Sequence, residues 1–446
     1  MGTHSSLVSG LSRTMCELLG EELYASAEIV GSMLLGAAEA CDAMGAETSP
    51  MAKALELYGD SLNGLGEFRR AQAYYRKAAQ RNRMESSTVL LPEQPHEVES
   101  LESSLESSSS KRLYRSSSIK LREARCSMRL GDVGAAINAF EAAEGKTARD
   151  YVDLGKLYLE QAMKKPAISA FESALKQNHC AVEVIEPLAQ LYGAPHDALA
   201  KLLSETFFHS SMKKKKIQQH HSQHSQHREA LGEWLETFAR GHAALAAHEF
   251  RAAISHFEAI DRLLGSSSNL HGLLRMGKAF FGLGEIVNAR YAFHKARIYD
   301  RHNVAFMDLA AKVLPTHAER STLAHDLMAV GGGGACSSRP EPWLVVAIVT
   351  ANANNDDDAD LDKALQFVDK AVSCDARHAA SYLFRGELLV RLGKADKAIV
   401  AYFKANSLVK DLPSYTGLVE AYLLLRKFKE ALHAAKDAVA ALPTQP

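Results

Sequence analysis

An all-α solenoid of stacked helix pairs is predicted by three features of this sequence. A module of 34 residues recurs along most of the chain. Each clear copy places large and small apolar residues three or four positions apart, which puts them on one face of a helix. The alternation typical of strands is nearly absent, and aromatic residues make up 7% of the chain. The pattern predicts about nine to ten helix pairs with flexible insertions.

The clearest copy of the module runs from 148 to 181. Its first helix carries Gly155 and Tyr158, and its second carries Ala167, Phe171 and Ala174. This is the spacing of a tetratricopeptide repeat, whose helix pairs stack into a superhelix because one repeat cannot bury its apolar face alone. Other copies fill the same structural positions, with Trp343 in a copy that has a longer internal turn: Gly59, Ala71, Tyr75 and Ala78; Gly277, Ala289, Phe293 and Ala296; Gly386, Ala398, Tyr402 and Ala405.

The residue types at these positions have a physical reason. A glycine in the first helix lets the second helix approach closely, and the aromatic of the second helix is expected to fill the gap between repeats. Glycines also stand where a first helix ends and a tight turn begins, a place that favours positive φ. These turn glycines are Gly66, Gly131, Gly284 and Gly393.

The repeats divide the chain into segments. Residues 1–50 show helical periodicity with candidate breaks at Gly20 and Gly31, which predicts helices that cap the solenoid or self-associate. The remaining segments are a first repeat at 51–85, a Ser-rich flexible insertion at 86–118, repeats at 119–212 with a degenerate last copy, a Lys/His/Gln-rich loop at 213–228, repeats at 229–330, a Gly-rich loop at 331–340 and C-terminal repeats at 341–446.

The 213–228 loop has two functional interpretations besides that of a plain solvated loop. Its lysines resemble a nuclear-import signal, and its histidines (His220, His221, His224 and His227) suggest a weak metal site. No cysteine or carboxylate stands at zinc spacing from them, so we expect no metal. Similarly, the serines of 86–118 are candidates for phosphorylation or belong to an unmodified linker.

Composition narrows the classes of partner. The formal net charge is −1, from 52 basic and 53 acidic residues, so no global charge attracts nucleic acid or an anionic membrane. The six cysteines form no CxxC pair, which indicates reduced thiols. The longest apolar stretch, 343–349, is far shorter than the ~20 residues of a membrane helix, and no signal peptide is apparent. We therefore expect a location in the nucleus and cytoplasm.

No catalytic or cofactor motif stands out. The glycine run at 331–334 lacks the GK[ST] of a phosphate loop, and the acidic cluster at 356–360 lacks the glycine and distal glutamate of a calcium loop. A solenoid also lacks the closed, dry pocket that catalysis needs. We expect no enzyme activity, no cofactor and no metal.

Several segments also resemble, in the same order, the subunit 7 family of the anaphase-promoting complex. They are ALELYGDSLNGLGEFRRAQAYYRKA at 54–78, the Ser-rich insertion, LREARCSMRLGDVGAAINAFEAA at 121–143, EPWLVVAIVT at 341–350 and YLFRGELLVRLGKADKAIVAYFKA at 382–405. The resemblance implies a non-catalytic scaffold subunit of a cell-cycle ubiquitin ligase, packed against other repeat subunits. It also implies a homodimer, for which residues 11–80 are the candidate region.

The main alternative is a co-chaperone or adaptor that binds a peptide in its concave groove. Such a clamp needs paired Lys and Asn residues on successive first helices. The corresponding positions offer no consistent pair: Glu56, Asp60, Val152, Lys156, Leu274 and Lys278. A second alternative, the repeat arm of a transferase, has no catalytic segment to support it.

Overall fold

The computed structural model describes residues 2–43, 50–88, 121, 124–125, 127–128, 130–192, 199, 223–265, 269–330, 339–353 and 358–442. Within these residues the chain forms helices joined by turns and no strand, as the all-α prediction requires. The chain divides into two compact units. Unit 1 comprises Met1–Ala246 and Ser255–Gly272, and unit 2 comprises Ala247–Ile254 and Leu273–Pro446.

Unit 1 contains nine complete α-helices among its described residues, with a 3₁₀ turn at Val182–Val184. They are α1 Gly2–Gly20, α2 Tyr24–Ala43, α3 Met51–Gly64, α4 Phe68–Thr88, α5 Val133–Glu141, α6 Ala148–Glu160, α7 Lys164–Gln177, α8 Ile185–Tyr192 and α9 Gln223–Ala246. Two further helices, α10 Phe250–Leu264 and α11 Leu270–Gly282, contribute residues to both units.

Unit 2 also consists of helices arranged in pairs. Its helices are α12 Ile286–Tyr299, α13 Met307–Val313, α14 His317–Val330, α15 Pro340–Ala351, α16 Asp358–Cys374, α17 Ala379–Arg391, α18 Ala395–Leu408, α19 Leu412–Leu424 and α20 Phe428–Ala441. In the core around α17–α20, Tyr402 packs with small and aliphatic side chains: Leu389, Ala398, Ala401, Leu418, Ala421 and Ala434.

A capping box fixes the start of α6. The Thr147 backbone N–H donates to the Asp150 carboxylate at 2.9 Å, and the Asp150 N–H donates to the Thr147 hydroxyl at 3.3 Å. Arg125 also donates to this fully buried carboxylate, at 2.8 Å. Two otherwise unpaired N–H groups of the helix end are thereby satisfied.

The turns inside the repeats require a left-handed residue. The four turn glycines predicted from the sequence all have positive φ, between +68° and +78°, which confirms that prediction. Where a repeat has no glycine at this position, another residue adopts the same conformation. Ala162, His248 and Arg426 have φ values of 56°, 61° and 56°, a conformation that strains any residue with a Cβ atom.

The N-terminal helices α1 and α2 pack against distant parts of unit 1. Arg149 donates to the Glu22 carbonyl at 3.2 Å, and the Glu183 N–H donates to the Ser26 hydroxyl at 3.1 Å. Ser32 donates to the Asn269 side chain at 3.2 Å, a contact across 237 positions of sequence. The first two helices are therefore integrated into unit 1 by contacts with residues between 149 and 269.

Several predicted boundaries differ from the structure. The predicted loop at 213–228 is wrong for residues 223–228, which begin α9; residues 213–222 lie outside the described residues. These six residues carry no apolar periodicity, but Gln, His and Arg are compatible with a helix, and α9 continues through them. Likewise α4 extends to Thr88, three residues into the predicted Ser-rich insertion, and Pro340 begins α15 instead of ending a loop. Gly31 lies inside α2 and interrupts nothing.

Candidate binding surfaces

The predicted glycine and aromatic positions meet within single repeats. A Cβ atom built on the glycine would lie 2.6 Å from the ring of Tyr75 at Gly59, and 2.4 Å from the ring of Phe171 at Gly155. The corresponding distances are 2.7 Å for Gly277 with Phe293 and 2.6 Å for Gly386 with Tyr402. Each ring thus lies on the bare backbone of the first helix, a position that only glycine allows.

This geometry adds a contact within the repeat to the expected role of the aromatic. The ring fills the space between the two helices of its own repeat. At Tyr402 it also reaches the next repeat, where a Cβ on Gly417 would lie 2.4 Å from the ring. Gly417 was not among the predicted positions, although it too lies near the middle of the first helix of a repeat, α19.

The predicted alanine positions form the rest of each contact. All of them are buried, which lets the two helices of a repeat approach closely. They are Ala71, Ala78, Ala167, Ala174, Ala289, Ala296, Ala398 and Ala405.

Two predicted aromatic positions have different surroundings. Tyr158 is buried and donates to Glu141 at 2.5 Å; burial and this hydrogen bond raise the pKa of its hydroxyl. Trp343 is half-buried and stacks on Phe367, with ring centroids 6.2 Å apart, and the Lys370 ammonium lies 4.9 Å from its centroid. Both side chains connect neighbouring helices.

Close glycine approaches also occur at positions that the sequence pattern missed. A Cβ on Gly31 of α2 would lie 2.6 Å from Tyr58, one on Gly64 would lie 2.2 Å from Tyr24, and one on Gly282 would lie 2.5 Å from Phe250. A search for a glycine opposite an aromatic in neighbouring helices, beyond the repeat register, could have found them.

The first-helix residues that a peptide clamp would use are engaged within the chain. The Lys156 ammonium pairs with the Glu183 carboxylate at 2.8 Å. Lys278 lies 5.5 Å from the centroid of the Phe306 ring, and Asp60 accepts a hydrogen bond from Tyr75 at 2.8 Å. At the clamp positions named above, these contacts leave no pair of basic groups arranged for a peptide carboxylate.

The apolar side chains of the N-terminal helices are buried inside unit 1. Leu11, Met15 and Leu18 of α1 are fully buried, as are Met33 and Leu34 of α2. Across the described part of 11–80, no large apolar side chain is exposed. Self-association through this region therefore cannot use the apolar faces as free surfaces.

Large exposed apolar side chains concentrate in unit 2. They lie on α12, on α18 and across α19–α20. The most exposed are Val287, Tyr291, Ile298, Val400, Phe403, Leu424, Phe428, Leu432 and Val439. Exposed apolar side chains indicate a surface that binds another protein where they form a contiguous patch.

One buried carboxyl group stands apart from the ion pairs. The Oε2 atom of Glu341, at the start of α15, is buried and accepts no hydrogen bond. Burial raises the pKa of this carboxyl group, against the opposing effects of its own backbone N–H, His378 and Arg339.

The described residues contain no metal-binding cluster and no membrane-spanning helix. Over the described ranges, no three His, Cys, Asp or Glu side chains are grouped so that they could hold a metal ion. Among those helices, none combines the length and the apolar character needed to cross a membrane. The side chains of His224 and His227 are not among those described, and His220 and His221 lie outside the described residues.

The comparisons with known proteins agree with the repeat architecture. Residues 52–83 match the tetratricopeptide repeat family. The chain is 27% identical to anaphase-promoting complex subunit 7 of Arabidopsis thaliana over 437 residues, which cover 96% of this chain and 72% of that protein. It is 23% identical to the human protein of the same name, over 86% of this chain and 62% of the human one.

A solved structure has the same fold. The crystal structure of the APC/C hetero-tetramer Cut9–Hcn1 covers 96% of this chain and 71% of its own, with a TM-score of 0.53 and 16% sequence identity. The predicted tetratricopeptide-repeat fold is thereby confirmed. The chain has the tetratricopeptide-repeat fold and is similar over nearly its whole length to anaphase-promoting complex subunit 7.

Proposed function

We propose that this chain is a non-catalytic scaffold subunit of an anaphase-promoting complex, a ubiquitin ligase of the cell cycle. The observation that carries the proposal is the similarity to subunit 7, which extends over nearly the whole chain. A scaffold needs only rigid surfaces, and the glycine–aromatic contacts supply rigidity in successive repeats. The other repeat subunits of the complex are the proposed partners, and the nucleus and cytoplasm are the proposed locations.

The peptide-clamp alternative has less support from the side chains. The clamp would require Lys156 and Lys278 to face a ligand carboxylate, whereas they contact Glu183 and Phe306. Breaking the 2.8 Å Lys156–Glu183 pair to bind a peptide would leave Glu183 half-buried without its cation. The adaptor function remains an outcome of the test below.

Affinity purification of the tagged chain from its own cells, followed by mass spectrometry, tests the proposal. A scaffold subunit should recover a cullin-type subunit, a RING subunit and other repeat subunits in near-equal amounts. An unrelated tagged repeat protein of similar size serves as the control. Recovery of chaperones instead, or of no stoichiometric partner, would contradict the scaffold function.

We further propose that the chain forms a homodimer through residues 11–80 by exchange of its N-terminal helices. Because the apolar faces of α1 and α2 are buried against unit 1, the same contacts can form between two copies if residues 2–88 change places. The segment 89–120 separates this block from the rest of unit 1 in sequence. Fully extended, a chain of that length spans roughly 100 Å, which is enough to reach a second copy.

A pair of cysteines distinguishes exchange from the closed arrangement. The Ser26 hydroxyl donates to the Glu183 carboxylate at 3.4 Å, so the S26C/E183C variant places two thiols close together. Oxidation should give a disulfide-linked dimer if the helices exchange. A disulfide within a monomer, with a monomeric mass by light scattering, would contradict the proposal. The single variants S26C and E183C control for the native cysteines.

A further inference from the structure

The helix α12 has an apolar face that points to solvent. One side of the helix carries Val287, Tyr291, His294 and Ile298, which follow one another at steps of four, three and four residues. The side chains of Val287, Tyr291 and Ile298 are 69%, 67% and 68% exposed. The outer stripe of α12 consists of Val287, Tyr291, His294 and Ile298.

The outer stripe lies opposite the buried face of the helix. Ala289, Phe293 and Ala296 point into the repeat, half a turn away from the stripe. A helix that is apolar on both sides is normally covered on both. The outer stripe therefore has the character of an interface without a partner.

The same positions are polar in two other second helices, α7 and α16, whereas α18 carries the exposed residues Val400 and Phe403 at two of them. Alignment of the buried alanines gives the equivalents in α7 and α16, which are the residues expected of a solvated face. In α7 they are Lys165, Ser169, Glu172 and Lys176; in α16 they are Asp362, Gln366, Asp369 and Ser373. The apolar stripe is thus not a requirement of the repeat.

Basic charge surrounds the outer stripe. The helix α12 contains Arg290, Lys295 and Arg297 and no acidic residue. On a helical wheel Arg290 and Lys295 fall on opposite sides of the stripe. Arg297 and Arg301 share one carboxylate, that of Asp326, at 2.9 and 2.8 Å, so this cluster keeps a net positive charge. A partner that buries the stripe is therefore favoured by acidic groups beside its apolar residues.

We propose that the outer stripe of α12 is a docking site for an acidic amphipathic helix of another protein. Leucine-like residues at three- and four-residue spacing would cover Val287, Tyr291 and Ile298. Acidic residues beside them would pair with Arg290, which adds specificity and speeds association. This surface lies outside the first-helix positions of the repeats, and the proposal does not depend on the scaffold function.

A direct binding measurement tests the proposal. The probe is a fluorescently labelled synthetic helix with leucines at three- and four-residue spacing and glutamates elsewhere, titrated with the full chain and followed by anisotropy. The V287D/Y291Q/I298S variant copies the equivalent residues of α16 and should weaken binding by about tenfold or more. Its melting curve should be unchanged, because the three side chains are exposed.

Two further variants keep the test decisive. V400Q/F403D removes exposed apolar side chains of α18, outside the stripe, and should leave the affinity unchanged. Arg290→Glu should weaken binding and reduce its dependence on salt, even if the triple variant proves unstable. The proposal would be overturned if the wild type did not bind the probe, or if the triple variant bound it as tightly as the wild type. It would also be overturned if a probe with lysines in place of glutamates bound the wild type equally well.

Two other binding partners of the outer stripe, a membrane or a second copy of this chain, would give different results. Vesicles of phosphatidylcholine and phosphatidylserine that bind the wild type but not the triple variant, with no binding of the peptide, would assign the stripe to a membrane surface. A concentration-dependent dimer by light scattering that the triple variant loses would assign it to a second copy of this chain. Either result would overturn the proposed protein partner.

Discussion

The contact between Gly155 and Phe171 allows a quantitative test of the repeat packing. In a Gly155→Ala variant the new Cβ would lie 2.4, 2.6 and 2.8 Å from three atoms of the Phe171 ring. Ordinary contact begins near 3.4 Å, so the ring must move by about 1 Å. Phe171 is fully buried, so its ring is surrounded by other protein atoms.

The expected magnitude follows from two opposing effects. Overpacking of this kind costs about 1–3 kcal/mol, and alanine gains about 1 kcal/mol over glycine in a helix interior. Since the ring cannot leave the core, we expect a net destabilisation of about 1–2 kcal/mol. In Gly10→Ala, where nothing lies within 4 Å of the new Cβ, only the helix gain remains, about 1 kcal/mol of stabilisation.

Hydrogen exchange of α6 and α7, read by mass spectrometry, is the appropriate assay because repeats open locally and a single global transition is not assured. The exchange of α6 and α7 should be faster in Gly155→Ala. Addition of Phe171→Leu should restore part of the protection, because leucine is shorter than phenylalanine and leaves room for the new Cβ atom. Gly10→Ala should protect α1. If Gly155→Ala instead increased protection as Gly10→Ala does, the close-approach argument would be refuted.

Three further predictions concern single side chains. Ala162→Gly should raise the melting temperature, because glycine relieves the left-handed conformation at φ 56°; an unchanged or lower value in a thermal scan would contradict the strain argument. Burial and the hydrogen bond to Asp60 raise the pKa of Tyr75 to about 12. Its contribution to stability is therefore complete below pH 10.0 and is lost as the pH rises through about 12, so Tyr75→Phe should weaken the alkaline dependence of urea unfolding; identical profiles would count against it. Burial raises the pKa of Glu341, so its contribution to stability falls as the pH rises above the ordinary value of 4.5. Glu341→Gln should stabilise the chain at pH 7 and lose this pH dependence, and a destabilised variant would show that the carboxylate has a stabilising partner.

The repeat pattern predicts the fold class well because its signal is intrinsic to the helices. Each 34-residue copy carries its own spacing and turn residue, so positions such as Gly393 could be identified without knowledge of the neighbours. The positive φ at these glycines follows directly from local sequence.

The features that sequence reasoning missed depend on neighbours in space. The apolar periodicity of α1 was correctly interpreted as helical, but whether Leu11 and Met15 face solvent, a second copy or unit 1 depends on contacts with distant residues. The start of α9 was missed because residues 223–228 carry no apolar residue to define a face. The sequence pattern did not reveal the outer stripe of α12, because it does not show whether Val287 and Tyr291 face the core or solvent.

The contact of Ser32 with Asn269 has a consequence for how the chain folds during synthesis. Most repeat contacts join residues close in sequence, so helix pairs can form soon after they leave the ribosome. The helices α1 and α2 are different, since 237 positions separate Ser32 from its hydrogen-bond partner. At the usual ~5–20 residues per second, those apolar helices wait roughly ten seconds or more before their final neighbours exist. During that interval they are the part of the nascent chain most in need of a chaperone.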